Sequence, residues 1–137
     1  MAENIRLEVV TPEKSVVSVS TQIVMAPGSL GEFGVLSGHT PFLTTLKTGS
    51  LKYKDENGTE RYVFVSSGFA EALPDRVTVL AESAERRKDI DIERAKAALE
   101  RAERRLQEQN READIDFTRA KAALLRAISR IQLAETR

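Results

Sequence analysis

An α+β chain is predicted, in which an N-terminal all-β sandwich is followed by a C-terminal antiparallel two-helix hairpin. Three observations predict it. All seven glycines and all four prolines precede residue 76, so the chemistry of tight turns is confined to the front of the chain. Between those turns short segments alternate apolar and polar residues with the period of a half-buried strand. Behind them one helical phrase is written twice, Asp89-Ile-Asp-Ile-Glu-Arg-Ala-Lys-Ala-Ala-Leu99 returning as Asp114-Ile-Asp-Phe-Thr-Arg-Ala-Lys-Ala-Ala-Leu124. The boundary is drawn between residues 86 and 87, with the sandwich over 1–86 and the hairpin over 87–137.

Taken in order, the alternation predicts short strands over 4–9, 16–19, 22–26, 34–36, 42–46, 50–54, 61–65, 69–73 and 77–81. Thr11-Pro12 ends the first. Asp55-Glu-Asn-Gly58 carries Asn-Gly between two strand patterns, and Pro74-Asp75 turns between the last two, so both predict antiparallel hairpins. Regular spacing with turn chemistry points to a sandwich or flattened barrel. Phe33, Phe42, Tyr53, Tyr62, Phe64 and Phe69 are expected to fill its core rather than to cage a ligand.

The helical half opens each copy with an aspartate able to cap free backbone N–H groups, Asp89 or Asp91 in the first and Asp114 or Asp116 in the second. Ile92, Ala95, Leu99, Ala102 and Leu106 form one narrow seam; Phe117, Ala120, Leu124, Ala127, Ile131 and Ala134 form another. Between them only Asn110 suits a left-handed helix end. A short connection joining two narrow seams predicts an antiparallel pair. Because alanine occupies alternate seam positions, the pair buries little apolar area against the entropy of ordering two helices. It is expected to be marginal alone and to depend on a docking surface, a ligand or a partner.

Composition narrows the function. The chain has 137 residues and no cysteine, which removes disulfide support and thiolate chemistry. Its start lacks a basic-then-apolar leader and no run reaches the ~18 apolar residues of a membrane span, so a soluble, cytosol-facing protein is expected. Residues 1–84 carry seven basic against ten acidic side chains, and residues 85–137 fourteen against eleven. The last helix is the basic end, through Arg119, Lys121, Arg126 and Arg130. That favours an acidic protein surface or a polyphosphate as partner. Nucleic acid is not expected, since no aromatics interleave the basic residues.

The loop Gly28-Ser-Leu-Gly31-Glu-Phe-Gly34-Val-Leu-Ser-Gly38-His-Thr-Pro41 is glycine-rich without being a phosphate loop, because it lacks a Gly-Lys-Ser/Thr ending and runs into a Pro and a strand. His39, the one histidine, has no Cys, second His or Ser-Asp arrangement near it in sequence and is read as a loop or interface residue. No catalytic constellation and no metal-ligand set emerges. The chain is read as no enzyme in itself.

Gly31-Glu-Phe-Gly-Val-Leu-Ser-Gly-His-Thr-Pro41, Ser67-Gly-Phe-Ala-Glu71, Val77-Thr-Val-Leu-Ala81 and Asp89-Ile-Asp-Ile-Glu-Arg-Ala95, in this order and over nearly the whole chain, resemble the epsilon subunit of bacterial rotary ATP synthases. The resemblance implies a sandwich of about ten strands bound to the gamma subunit of the central stalk. One edge, here Glu32, Gly38 and His39, would rest on the c-subunit ring of the rotor. The hairpin would be the mobile part, folding beside the sandwich or extending into the alpha/beta catalytic head. There Arg119, Lys121, Arg126 and Arg130 would meet an acidic segment of the beta subunit and restrain ATP hydrolysis. A peripheral location on the cytoplasmic face of the bacterial inner membrane, proton coupling, and a monomer when isolated are implied as well. No cofactor is required.

Some members of that family bind ATP on the folded hairpin through Ile/Leu-Asp-x-x-Arg-Ala, matched here by Ile90, Asp91, Arg94 and Ala95, with Arg101, Arg126 and Arg130 completing a candidate site. Arg126 and Arg130 stand four apart on one helix face, a like-charge spacing that favours an anion between them. Arg101 and Arg105 repeat the spacing on the first helix. Asp91 would either receive a ribose hydroxyl or cap the helix, and Ile115-Asp-Phe-Thr-Arg-Ala120 satisfies the same pattern. Two rival readings stand beside this one: a free-standing ATP-sensing module, and a sandwich adaptor with a coiled-coil tail.

Overall fold

The computed structural model describes residues 3–108 and 114–136, with the side chains of 114–116 outside that description. The chain divides into two compact units, Met1–Arg87 and Lys88–Arg137.

The first unit is built from seven strands: β1 (Ile5–Val10), β2 (Ser15–Gly28), β3 (Gly31–Val35), β4 (Phe42–Thr45), β5 (Gly49–Asp55), β6 (Glu60–Leu73) and β7 (Arg76–Arg86). Their pairing closes on itself. β1 runs parallel to β7, and β7–β6, β6–β5, β5–β2 and β2–β1 are antiparallel. β3 is added to β2 and β4 to β6. The result is the expected flattened sandwich, whose main sheet edges are consumed by closure.

The nine segments read from alternation become seven strands, against the about ten that the resemblance implies, because two pairs of short predicted strands are continuous. Segments 16–19 and 22–26 merge into β2, and 61–65 and 69–73 into β6. In β2 the join is Ser20-Thr21, where no glycine or proline forces a reversal. The Thr21 hydroxyl donates to the Ile5 carbonyl at 2.9 Å, and beyond it β2 leaves β1 for β5 and β3. In β6 the join is Ser66-Ser67-Gly68, with φ of 57° at Ser67 and 125° at Gly68. Two left-handed residues bend the strand without reversing it, and it stays paired with β7 on both sides. β7 likewise continues past Ala81 to Arg86, because pairing with Val63–Ser66 overrides the weak strand preference of Glu82-Ser-Ala-Glu85.

The predicted turns are present. Asp55 accepts backbone N–H bonds from Asn57 and Thr59 through its carboxylate, and Gly58 takes φ 78°. Leu73 pairs with Arg76 across Pro74-Asp75. The core itself is aliphatic. Ile5, Leu7 and Val9 of β1, Val77 and Val79 of β7, Val63 and Val65 of β6 and Leu51 of β5 are all buried there. Of the six aromatics expected to fill it, only Tyr53 lies in the central cluster. Phe33 and Phe42 pack against its side, edge to face at 5.0 Å. Phe64 is buried on the opposite face of β6 from Val63 and Val65, Tyr62 is half-buried, and Phe69 is exposed. The narrow space between two sheets of β-branched residues leaves no room for more rings.

The second unit contains α1 (Ile92–Gln107) and α2 (Asp114–Glu135), which pack on each other and are joined by six residues. So short a link between helices of this length makes them antiparallel. Asp91 is the N-cap of α1, its carboxylate accepting from the Arg94 amide at 3.1 Å. α1 ends at Glu108 in an extended conformation, φ −69° and ψ 99°. The left-handed end expected at Asn110 lies outside the described residues, as do the capping side chains of Asp114 and Asp116.

Along the seam the alanines are the buried residues: Ala95, Ala102, Ala120, Ala127 and Ala134. Ile92, Leu99, Leu106, Leu124 and Ile131 are only half-buried, and Phe117, expected on the seam, is 60% exposed. Backbones that approach at alanine leave the larger side chains flanking the line of contact instead of centred on it.

Candidate interaction surfaces

The hairpin presents a basic side. Counting from the buried alanines, Arg94, Arg101 and Arg105 fall on one flank of α1, about a quarter turn before the seam. Arg119, Arg126 and Arg130 occupy the corresponding flank of α2. In an antiparallel pair corresponding flanks meet on one side, so six guanidinium groups share it. Arg94, Arg101, Arg105 and Arg119 are exposed, while Arg126 and Arg130 are half-buried with their stems along the seam. Lys121 is exposed on the opposite flank of α2. Glu100 and Arg104 pair at 3.8 Å, well exposed, and neutralise a solvated stretch of α1 away from the arginine side.

Of the candidate nucleotide residues, the structure gives three a plain structural task. Ile90 and Ala95 are buried, and Asp91 spends one carboxylate oxygen on the cap of α1. Arg94, Arg101, Arg126 and Arg130 remain together on the basic side. A polyphosphate is the small ligand such a side can hold, through bidentate guanidinium contacts.

The glycine-rich loop resolves into two parts at opposite ends of β3. At one end the Gly28–Gly31 turn is braced by Ser29 donating its amide to the Thr45 carbonyl at 2.9 Å and by Thr45 Oγ1 donating to Ser29 Oγ at 2.7 Å. A side chain on Gly28 would sit 2.7 Å from the Gly31 carbonyl, which is why glycine stands there. Leu30 at the tip is fully exposed, and Glu32 beside it is exposed opposite Pro27. At the other end Gly38 takes φ 83° and donates to the Pro74 carbonyl at 2.7 Å. His39 is half-buried, its Nδ1 2.6 Å from the Thr40 carbonyl and its ring 5.0 Å from that of Phe42. β3 therefore separates Glu32 from Gly38 and His39 instead of bringing them together.

A third surface was not foreseen. Phe69 of β6 lies opposite Leu80 of β7, both 42% exposed, and Leu43 of β4 is diagonal to Phe69 at 67%. The neighbouring Ala70 and Ala72 face the core, so this apolar strip belongs to the outer face of the sheet. The signal lay in Phe69-Ala-Glu-Ala-Leu73: Glu71 shares a face with Phe69 and marks it as the outer one. Contiguous large apolar side chains on a sheet face mark a place where something docks. Among the described residues, no helix is long and apolar enough to cross a membrane.

Two family models match the chain. Residues 4–87 match the β-sandwich domain of the ATP synthase delta/epsilon chain, and residues 88–135 match its long α-helix domain. The ATP synthase epsilon chain of Desulfosudis oleivorans is 70% identical over 107 residues, covering 78% of this chain and 80% of the relative. That of Desulforapulum autotrophicum is 69% identical over 109 residues, covering 80% and 81%. Among solved structures, a chain of the Euglena gracilis mitochondrial ATP synthase, in a structure of its OSCP, F1 and c-ring, superimposes with a TM-score of 0.78. It covers 94% of this chain and 80% of its own length at 23% identity, a likeness of fold.

Proposed function

The chain belongs to the epsilon-chain family of F-type ATP synthases, and from that premise we propose that it is a non-catalytic central-stalk subunit whose hairpin restrains ATP hydrolysis. The sandwich couples the catalytic head to the proton-driven rotor. On this reading the strip Leu43–Phe69–Leu80 seats the gamma subunit, and Glu32, Gly38 and His39 make two separate contacts with the c-subunit ring. The protein sits peripherally on the cytoplasmic face of the bacterial inner membrane, held by its partners.

One observation carries the regulatory part: the helices touch through alanines, and the same hairpin gathers six arginines on one side. A pair held by so little apolar area is easily exchanged for another partner. Acidic side chains of the beta subunit are the partner that charge selects. Replacing Arg119, Lys121, Arg126 and Arg130 together by Ala is expected to raise the ATPase rate of the reconstituted head several-fold at low salt. An unchanged rate contradicts inhibition through this face.

ATP is the regulatory ligand that the basic side favours, since the half-buried Arg126 and Arg130 stand one turn apart beside Arg101 and Arg94. Calorimetry on the isolated protein is expected to register ATP binding that Arg126→Ala weakens at least about tenfold. No heat at millimolar ATP removes the nucleotide, and with it the free-standing sensor reading. Recovery of a gamma-like stalk protein with the chain separates the synthase reading from a generic adaptor.

A further inference from the structure

The last residues of β7 are held on two sides. Arg86 turns its Nε to the Val16 carbonyl of β2, a part-buried hydrogen bond of 2.9 Å. Arg87, the next residue, lays its guanidinium over the ring of Tyr62 on β6, 4.5 Å from the centroid. The Tyr62 hydroxyl donates to the Glu60 carboxylate at 3.0 Å, and Glu60 also faces Lys52 of β5 at 3.9 Å. Arg86 and Arg87 thus tie the exit of the sandwich to β2 and β6, and Glu60 extends the second tie to β5. A guanidinium at this distance over an aromatic face is attracted by the ring quadrupole, and the planar group stacks where an ammonium would not.

Beyond Arg87 the chain makes a single 3-10 turn, Arg87–Asp89, in which Lys88 and Asp89 are exposed. Ile90 is buried and Asp91 already caps α1, so the second anchor begins there. Only Lys88 and Asp89 lie between the two anchors. We propose that the stack of Arg87 on Tyr62 is a clasp that confines the pivot of the helical hairpin to Lys88–Asp89. With the clasp closed, the hairpin turns about a two-residue joint. With it open, the end of β7 frays and the joint lengthens toward Glu85. The clasp concerns this chain alone; its consequence for ATP hydrolysis rests on the inhibitory reading above.

Trypsin reads the clasp directly, because Arg86, Arg87 and Lys88 are themselves cleavage sites and a clasped strand end resists a protease that needs an extended, mobile segment. The full-length protein and its Tyr62→Phe and Tyr62→Leu variants would be digested briefly, and fragments ending at 86, 87 or 88 timed by mass spectrometry. Tyr62→Phe keeps the ring and should cleave at the parent rate. Tyr62→Leu should cleave there about tenfold faster while cleavage after Arg61, inside β6, stays slow. A parent rate in Tyr62→Leu overturns the clasp, as does equal acceleration in Tyr62→Phe. A parallel rise after Arg61 also overturns it, because the ring would then hold the sandwich and not the exit. If the trypsin result holds and the parent chain itself does not slow ATP hydrolysis by the reconstituted head, the clasp stands and the inhibitory reading fails.

Discussion

Gly68 shows how one residue decides the course of a strand. Its φ of 125° lies outside what side chains tolerate, and a Cβ placed there would overlap the Leu80 carbonyl of the paired strand. Neither obstacle can be relieved by a rotamer change, since both are backbone. Gly68→Ala is therefore expected to cost the sandwich about 2 kcal/mol or more in urea unfolding, and a loss within about 0.5 kcal/mol would contradict the packing described. At this scale the sequence was partly legible. Asp91 as a cap could be read from its place before an apolar repeat, and it is one. Arg87 on Tyr62 could not, because twenty-five positions separate partners that only the β6–β7 ladder brings together.

Among elements, the strands declared themselves better than their boundaries did. Alternation overlaps every one, though β3 starts at Gly31 inside the stretch read as loop and shares only Gly34 and Val35 with the predicted 34–36, and 16–19 and 22–26, or 61–65 and 69–73, look separate because polar and glycine residues interrupt them. Only the tertiary pairing of a long strand with different partners along its length makes each of them one. Phe69 lies outside the core although its size suggests the inside, because it shares a face with Glu71. The repeat marks both helices, and alanine at alternate seam positions already points to close approach: Ala102 and Ala127 are 2% and 1% exposed, while Phe117, expected on the seam, is 60% exposed. A larger side chain at either alanine must push the backbones apart. Ala127→Leu should destabilise the helical unit by about 1–3 kcal/mol, lowering the melting of the helical circular dichroism while the sandwich is unaffected. Unchanged melting would place the contact elsewhere.

For the molecule as a whole, the two units differ in what holds them. The sandwich joins residues far apart in sequence through a closed ladder around an aliphatic core. The hairpin joins near neighbours through small side chains along its seam, where Ile92, Leu99, Leu106, Leu124 and Ile131 are only half-buried and Leu133 is the large side chain of α2 that is fully covered. On the proposed function, such an imbalance would let one unit remain a fixed base while the other changes partners, since local opening draws on the weaker contacts first. The family was legible from four motifs in order. The two ends of the glycine-rich loop and the apolar strip became visible only once the strands were placed. Whether the hairpin is the loosely held half is the claim on which regulation depends. Hydrogen exchange on the isolated full-length protein tests it most directly: amides of α1 and α2 should exchange at least about a hundredfold faster than those at the centre of β6 and β7, a gap of roughly 3 kcal/mol in opening free energy. Equal protection in the two units would contradict it.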